Sequence, residues 1–281
     1  MPTAHFVALF LLAPLTACGA PKGEGPRRCN GSAAACERRL DEITVAGAHN
    51  AMSNAEEGWL FPNQSWSVQR QLGAGVRGLN LDVYDEGGVA TLCHGYCSLG
   101  SEPLVDLLLR VNEFLDEEPD EVLLLTFEAY ASPALVEAAF RESGLRSRVI
   151  APEGPDWPTL GALVEADQRV AVWASDGGDD AGWYRDQWTD WVDNPYAVAR
   201  DEALPCEADR GEPSNPFFNL NHFITDPVAS AEDAALVNAA AVLTEHIDRC
   251  TAEMGRPPSQ VLVDFVDLGD AIAVVAQMNE G

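Results

Sequence analysis

Short apolar runs recur along this chain and are separated by stretches with helical spacing. Eight of these runs have the length and apolar density of β-strands. They cover residues 43–46, 76–83, 89–93, 122–127, 169–173, 217–223, 261–266 and 271–276. The run at 122–127 is almost continuously apolar, which is typical of a strand covered on both faces in a parallel sheet.

Helical patterns lie between the strand-like runs. Leu104, Leu107, Leu108, Val111 and Leu115 form one face of a helix after Pro103. Further helices are predicted at 66–74, 133–143 and 230–254, and long loops at 176–216. This alternation predicts one α/β domain at 40–281, a TIM-type (β/α) barrel with distorted or incomplete closure. The chemistry of such barrels lies at the C-terminal ends of the strands.

The N-terminal residues carry export signals. The apolar run at 6–17, interrupted by Pro14, predicts a signal peptide at 1–17. Leu15-Thr16-Ala17-Cys18 resembles a bacterial lipobox, in which Cys18 becomes lipidated, and 18–39 is predicted to be an N-terminal tether. We therefore expect a lipoprotein of the bacterial cell envelope, bound to the membrane surface through its lipid. Ordinary cleavage and secretion is the alternative.

Composition restricts the partners and indicates an oxidising compartment. A net charge of −28 argues against nucleic acid as a partner, because phosphate backbones are bound by Lys and Arg. Of the seven cysteines, six remain when Cys18 is set aside. An even number of cysteines in an exported chain implies disulfides, although six cysteines allow fifteen pairings. Local pairing of Cys29 with Cys36 and of Cys93 with Cys97 would leave Cys206 with Cys250. We expect a monomer.

Two histidines lie at the ends of predicted strands. His49 ends Ala46-Gly47-Ala48-His49-Asn50, and His94 follows the strand at 89–93. Imidazoles titrate near neutral pH, so this pair suits general base and general acid in phosphoryl transfer. Asp264 ends a late strand and could orient His49. The alternatives are two structural histidines and a turn or capping role for Asp264.

Oxygen-bearing side chains occupy neighbouring strand ends. Asn80 and Asp82 are two residues apart, so both face the same side of one strand. Asn50 and Glu128 add two more oxygens, and such ligands suit Ca²⁺. We therefore predict a calcium site at Asn50, Asn80, Asp82 and Glu128. A salt bridge from Asp82 to a distant arginine is the alternative.

Other aromatic and histidine residues have less definite interpretations. Trp183, Trp188 and Trp191 could form an apolar lip against lipid or substrate, or pack internally. His246 is expected on a helix surface, and His222 beside the cavity or bracing it. The substrate-binding residues are not predicted from the sequence.

Taken in order, the motifs resemble those of the phosphatidylinositol-specific phospholipase C X-domain superfamily, the TIM-barrel PLC-like phosphodiesterases. The similarity covers roughly residues 40–280, and the later segment looks closer to the X-domain-only branch. The matching words are Gly47-Ala48-His49-Asn50, Gln71-Leu72-x3-Val76-Arg77-x4-Asp82, His94-Gly95, Pro119-x-Glu121-Val122 with Glu128, Asp264-Phe265 with Asn279, and Cys206-x3-Arg210-Gly211 with Asn219-Leu220-Asn221-His222-Phe223.

The resemblance implies a phospholipase C-type phosphodiesterase that acts on a phospholipid or another phosphodiester. Calcium-dependent members of the family bind the ion through Asn, Glu, Asp and Glu, so Asn80 departs from the usual Glu. The implied products are a cyclic phosphate and a diacylglycerol-like alcohol. Two alternatives remain: a glycerophosphodiesterase or sphingomyelinase-D-like phosphodiesterase, and a catalytically weak barrel that acts as a surface binding protein.

Overall fold

A curled, mostly parallel β-sheet forms the centre of the protein. The structure is a computed structural model that describes residue 1 and residues 26–151, 156–178 and 182–280. Apart from Met1, the predicted signal peptide lies outside the described residues, and so does Cys18. The strands are β1 (Val45–Ala48), β2 (Gly78–Glu86), β3 (Val89–Cys93), β4 (Ser101–Pro103), β5 (Leu123–Tyr130), β6 (Val170–Ala174), β7 (Arg185–Asp186), β8 (Trp191–Asp193), β9 (Phe217–Asn221) and β10 (Gln260–Val263).

Eight of these strands are parallel and follow the order β7-β6-β5-β2-β1-β10-β9-β8 across the sheet. The antiparallel strands β3 and β4 extend from β2.

The barrel is open on one side. Among the described strands, β7 and β8 end the parallel order and form no ladder with each other. They are the shortest parallel strands, with two and three residues. The predicted α/β barrel with incomplete closure is therefore confirmed.

Helices cover the outer face of the sheet. All five apolar positions predicted for the helix after Pro103 are fully buried, so this helix, α2 (Leu104–Glu117), packs its apolar face against the core. In the described ranges, no helix has both the length and the apolar character needed to span a bilayer. The helices are α1 (Val68–Ala74), α2 (Leu104–Glu117), α3 (Pro133–Glu142), α4 (Leu160–Glu165), α5 (Gln187–Asp190), α6 (Ala231–Val237), α7 (Ala240–Met254) and α8 (Ala271–Met278).

Two predicted elements differ from the structure. The strand prediction at 271–276 is wrong, because this segment lies within α8. Its buried residues, Ala271 and Val275, are four positions apart, which is helical spacing, and three alanines favour a helix. The single helix predicted at 230–254 is two helices, because α6 ends at Val237 and α7 begins at Ala240.

The segment preceding β1 packs against the barrel. Cys29 is fully buried, and Asn30 forms two side-chain hydrogen bonds with the backbone of Val122, just before β5. Ser32 donates a hydrogen bond to the carbonyl of Asn279 at 2.8 Å. Residues 29–39, assigned to the tether from the sequence, are therefore attached at the N-terminal ends of the strands.

Three disulfides join the predicted pairs, Cys29–Cys36, Cys93–Cys97 and Cys206–Cys250. The last pair is 44 residues apart in sequence and links the segment after β8 to α7. Cys206 and Cys250 also lie close to His246, but the two sulfurs are bonded to each other, so this group is not a metal site. His246 itself is buried.

Removing the Cys206–Cys250 bridge should destabilise the protein more than removing Cys29–Cys36. Loop-closure entropy gives about 4 kcal/mol for the longer loop and about 2.5 kcal/mol for the shorter one. We expect Cys206→Ser/Cys250→Ser to lower the Tm by roughly 10 °C, and Cys29→Ser/Cys36→Ser to lower it less. Thermal unfolding monitored by circular dichroism measures both, and the reverse order would contradict the prediction.

Candidate active site

A histidine–carboxylate pair lies at the C-terminal ends of β1 and β10. His49 Nδ1 is 2.9 Å from Asp264 Oδ1, and both side chains are largely buried. Asn63 Nδ2 donates to the same carboxylate oxygen at 2.9 Å. With Nδ1–H directed at the carboxylate, the Nε2 lone pair of His49 is available as a base. The ring of His49 stacks on Phe223, with centroids 4.0 Å apart.

Asn50 lies between the two histidines. Its Nδ2 is 3.1 Å from His49 Nε2 and 3.3 Å from His94 Nε2. Asn50 has φ of 46°, a left-handed conformation that asparagine tolerates better than most residues. Its backbone N–H donates to Asn80 Oδ1 at 3.3 Å. This turn after β1 therefore brings both imidazoles to one amide group.

His94 is carried by a short disulfide-closed loop. It follows β3 directly and lies within the Cys93–Cys97 bridge. Partial removal of water lowers the pKa of its imidazole below the ordinary value, and repulsion from His49 adds to this effect. A lower pKa makes the protonated ring a stronger acid.

Two carboxylates lie side by side on adjacent strands. Asp82 on β2 pairs in register with Glu128 on β5. Burial and the neighbouring charge of Glu128 raise the pKa of Asp82 to about 8. Tyr130 donates a hydrogen bond to Glu128 Oε2 at 3.2 Å. In the described part of the chain, no Lys or Arg forms an ion pair with either carboxylate.

This carboxylate pair has the chemistry of a hard-cation site. Asp82 Oδ1 and Asn50 Oδ1 are both buried without a hydrogen-bond partner. A divalent cation would satisfy both oxygens and offset the repulsion between Asp82 and Glu128. Asn80 is also buried here, but its amide oxygen already accepts the Asn50 N–H. The four predicted ligand positions therefore fit a cation, with Asn80 as the weakest donor.

Two cavities meet at His49. The outer cleft has a volume of about 470 Å³, and the inner chamber, which extends into the barrel, about 30 Å³. The outer cleft is lined by His49, Asn50, Leu60, Phe61, Asn63, Asp82, His94, Gly95, Tyr96, Leu99, Glu128, Tyr196, Phe223, Thr225, Pro227, Val228 and Ala229. The inner chamber is lined by His49, Asn80, Thr126, Glu128, Ser175, Gln187, Trp188, Tyr196, Arg210, Asn219, Asn221, Phe223, Gln260 and Leu262.

The structure distinguishes between the alternatives left open for the tryptophans and His222, and it places His246 differently from the prediction. Trp183 and Trp191 are almost fully buried and pack in the core, whereas Trp188 lines the inner chamber. His246 is buried rather than on the helix surface, because its Nδ1 lies 2.7 Å from His222 Nδ1. His222 is buried behind Phe223, so it braces the cavity wall rather than lining it.

Several site residues were not predicted from the sequence, among them Asn63, Tyr196 and the stacked ring of Phe223. Asn63 and Tyr196 lie in segments without helical or strand periodicity. Phe223 ends a motif that carries the family resemblance, but the sequence assigns no role to its side chain. The signal that could identify it is its position after a buried strand, where the sites of such barrels form.

Comparisons with known proteins identify the family of this chain. The model of the PI-PLC X family matches residues 35–279. A PI-PLC X domain-containing protein 1 of Arthroderma benhamiae is 28% identical, with 98% of this chain and 97% of that protein covered. An uncharacterized secreted protein of the same fungus is 27% identical to this chain. The match covers 92% of this chain and 64% of that protein.

The fold resembles solved bacterial structures. A phosphatidylinositol-specific phospholipase C of S. aureus superimposes with a TM-score of 0.63 at 14% identity. The match covers 88% of this chain and 95% of that one. At 14% identity, this similarity shows a shared fold alone.

Proposed function

The chain belongs to the PI-PLC X family, and we propose that it is a phospholipase C-type phosphodiesterase that cleaves the headgroup phosphodiester of a phospholipid. The observation that carries the proposal is the histidine pair. Both Nε2 atoms approach one amide within 3.3 Å, and one ring is held by a buried carboxylate. Two imidazoles at this spacing can act on opposite sides of one phosphorus atom.

His49 would be the general base. Asp264 holds its Nδ1–H, so Nε2 can take the proton from a hydroxyl of the headgroup. The carboxylate also stabilises the imidazolium that forms. Phe223 limits the tilt of the ring by stacking on it.

His94 would be the general acid. Its protonated ring would donate a proton to the oxygen of the departing acyl-bearing alcohol. The lowered pKa of His94 favours this transfer. The headgroup oxygen would then bond to phosphorus as the bond to the departing alcohol breaks, giving a cyclic phosphate and a free alcohol.

Asn50, Asn80, Asp82 and Glu128 would hold Ca²⁺. When bound, the ion would lower the pKa of the attacking hydroxyl and stabilise charge on the phosphate. The paired carboxylates support this proposal because buried Asp82 lies beside half-buried Glu128, and neither has a basic ion-pair partner among the described residues. Tyr130 would keep Glu128 oriented.

The rim of the outer cleft suits a lipid substrate. Four apolar or aromatic residues of the outer cleft are each at least 47% exposed, namely Leu60, Phe61, Tyr96 and Val228. An exposed apolar rim around a polar site fits acyl chains at an interface. The disulfides and the secreted relative fit an exported protein, and a lipid on Cys18 would attach it to a membrane.

The direct test is a lipid panel. The purified protein is incubated with phosphatidylcholine vesicles that contain one test phospholipid each, and ³¹P NMR follows the soluble product. A cyclic phosphate signal is expected for at least one lipid. Cleavage of the bond between phosphorus and the headgroup oxygen would indicate the sphingomyelinase-D-like alternative. No turnover of any lipid would favour a binding protein.

Replacing two rim residues should impair cleavage at vesicles. Burying Phe61 and Leu60 in a lipid surface contributes about 1.5–3 kcal/mol each, so Leu60→Ser/Phe61→Ser should raise the apparent KM on vesicles at least about tenfold. Turnover of a short-chain, monomeric substrate should change little. Leu109→Ser, at a half-exposed position on α2, is the matched control. An equal loss on both substrates would contradict a role at the interface.

A further inference from the structure

The carboxylate that orients His49 is itself held by a second side chain. Asp264 Oδ1 lies 2.9 Å from His49 Nδ1 and also accepts a hydrogen bond from Asn63 Nδ2 at 2.9 Å. The other oxygen, Asp264 Oδ2, is buried and has no hydrogen-bond partner among the described residues. Within that part of the chain, Asn63 is therefore the side chain that, together with His49, fixes the position of this carboxylate.

The amide of Asn63 has one orientation that suits the carboxylate. If the amide were turned over, its oxygen would face Asp264 Oδ1, and two acceptors at this distance would repel each other. The same argument places a proton on His49 Nδ1, because an unprotonated nitrogen would also be an acceptor facing the carboxylate. Asn63 is 3% exposed, and in the described ranges its Oδ1 is buried without a partner. The hydrogen bonding of this amide is therefore concentrated on its donor side, toward Asp264.

The backbone that carries Asp264 is held in a costly conformation by the same loop. Phe265, the next residue, has φ of 44°, a left-handed conformation that bulky residues rarely adopt. Such a conformation persists where the surrounding contacts determine it. The N–H of Phe265 donates to the carbonyl of Asn63 at 2.7 Å, and Asn238 Nδ2 donates to the carbonyl of Asp264 at 2.9 Å. Asn63 thus contacts both the side chain of Asp264 and the turn that directs it.

Gln64, the residue after Asn63, joins the two strand ends that carry His49 and Asp264. Its Nε2 donates to the carbonyl of His49 at 2.8 Å and to the carbonyl of Val263 at 3.0 Å. Its Oε1 accepts the N–H of Val266 at 3.0 Å. Gln64 is fully buried, so these bonds form away from water. This one amide therefore holds the end of β1 against the end of β10.

We propose that Asn63 is a positioning residue that keeps Asp264 aligned with His49 during the proposed reaction. The inference rests on the proposed function. When His49 Nε2 takes the proton of the attacking hydroxyl, the ring becomes an imidazolium, and Asp264 stabilises it only while Oδ1 stays in line with Nδ1–H. Without the hydrogen bond from Asn63, the carboxylate would be free to move away from the ring, and His49 to turn or change tautomer. Gln64 would still hold the strand ends, so the loss would fall on orientation and not on the fold.

Asn63→Leu removes the donor with little change in size. On vesicles of the preferred lipid we expect kcat to fall roughly tenfold to a hundredfold, the range that a hydrogen bond to a charged group can supply, while KM changes less than about threefold. Asn63→Ser, whose shorter side chain leaves Asp264 out of reach, should show the same loss and serves if Asn63→Leu does not fold. An unchanged kcat in these variants overturns the inference and leaves the proposed function intact.

Asn54→Leu is the matched control in the same loop. Asn54 is fully buried, its amide donates to the carbonyl of Met52 and to Glu57, and it lies outside both cavities. This variant should lower the Tm and leave kcat within about twofold, because it touches neither His49 nor Asp264. An equal loss of kcat in Asn54→Leu and Asn63→Leu would show that the loop acts through its fold alone, and would overturn the inference.

A double-variant cycle tests whether Asn63 acts through Asp264. In an Asp264→Ala background, Asn63→Leu should change kcat less than about twofold, because the group that Asn63 holds is gone. A further loss as large as that in the single variant would mean that the two residues act independently, and would overturn the inference.

A spectroscopic measurement tests the same contact without a substrate. In ¹⁵N-histidine-labelled protein at mildly alkaline pH, the ring nitrogen shifts of His49, assigned by their loss in His49→Ala, should place the proton on Nδ1. Asn63→Leu should move these shifts toward a mixture of tautomers, and Asn54→Leu should not. A proton on Nε2 in the unaltered protein, or unchanged shifts in Asn63→Leu, overturns the inference. Absence of turnover across the whole lipid panel overturns the proposed function, and the inference with it.

Discussion

His49→Ala is expected to lower the turnover of a phosphodiester lipid by roughly a thousandfold to ten-thousandfold while the protein stays folded. General acid–base catalysis contributes about 10²–10⁴ in rate, and the pairing of His49 with Asp264 places this residue near the upper end. His94→Ala should cause a similar loss, because the departing alcohol then leaves without a proton. The measurement is kcat on vesicles of the preferred lipid, with Tm recorded for each variant.

The double variant gives a sharper result than either single change. If the two imidazoles act in one step, His49→Ala/His94→Ala should lose little more than the worse single variant, because such residues are not additive. His246→Asn is a histidine control outside both cavities and should lower the Tm with little effect on kcat, since its partner is the buried His222. Retained turnover in both single variants would exclude the proposed mechanism.

Removing Ca²⁺ is expected to reduce turnover at least about a hundredfold and to lower the Tm. An ion at one hundred times its Kd adds about 2.7 kcal/mol of stability, or roughly 5–10 °C for a domain of this size. Differential scanning calorimetry with Ca²⁺ and with chelator measures this shift independently of activity. Asp82→Asn should abolish the shift, whereas Asp85→Asn, at an exposed position on the same strand, should keep it.

The size of the calcium shift should depend on pH. In the folded, metal-free protein the pKa of Asp82 is raised from 3.8 to about 8, so the folded state holds this proton more tightly than the unfolded chain. The metal-free protein therefore loses stability as the pH rises from about 4 toward 8. Calcium should stabilise it more at pH 8 than at pH 5. A shift that is equal at both values, or absent with retained activity, would contradict a calcium site at Asp82.

The site residues at strand ends can be predicted from the sequence, because the apolar pattern locates each strand and therefore its end. His49, Asp82, Glu128 and Asp264 each lie at or near the end of a parallel strand, and barrel geometry brings those ends together. The motifs that carry the family resemblance contain the same four residues in the same order along the chain. Roles in catalysis and metal binding remain predictions until the variants are measured.

The remainder of the site depends on tertiary contacts that no local pattern carries. Asn63 reaches Asp264 from a loop about 200 residues earlier in the chain. β7 and β8 have two and three residues, too few for a periodic signal, so the region 176–216 was predicted as loops. His246 was expected to be exposed because helix position alone does not show a buried partner.

The polarity of the barrel determines how the molecule could be attached to a membrane. The N-terminal segment is held by Asn30 at the start of β5, whereas Glu128 lies near the other end of that strand. A lipid on Cys18 would therefore hold the molecule by the end opposite the outer cleft. The ten residues between Cys18 and Cys29 can span at most about 35 Å, roughly the depth of a small domain. An anchored molecule of this geometry would turn its mouth away from the membrane that carries it and meet lipids presented by a facing surface.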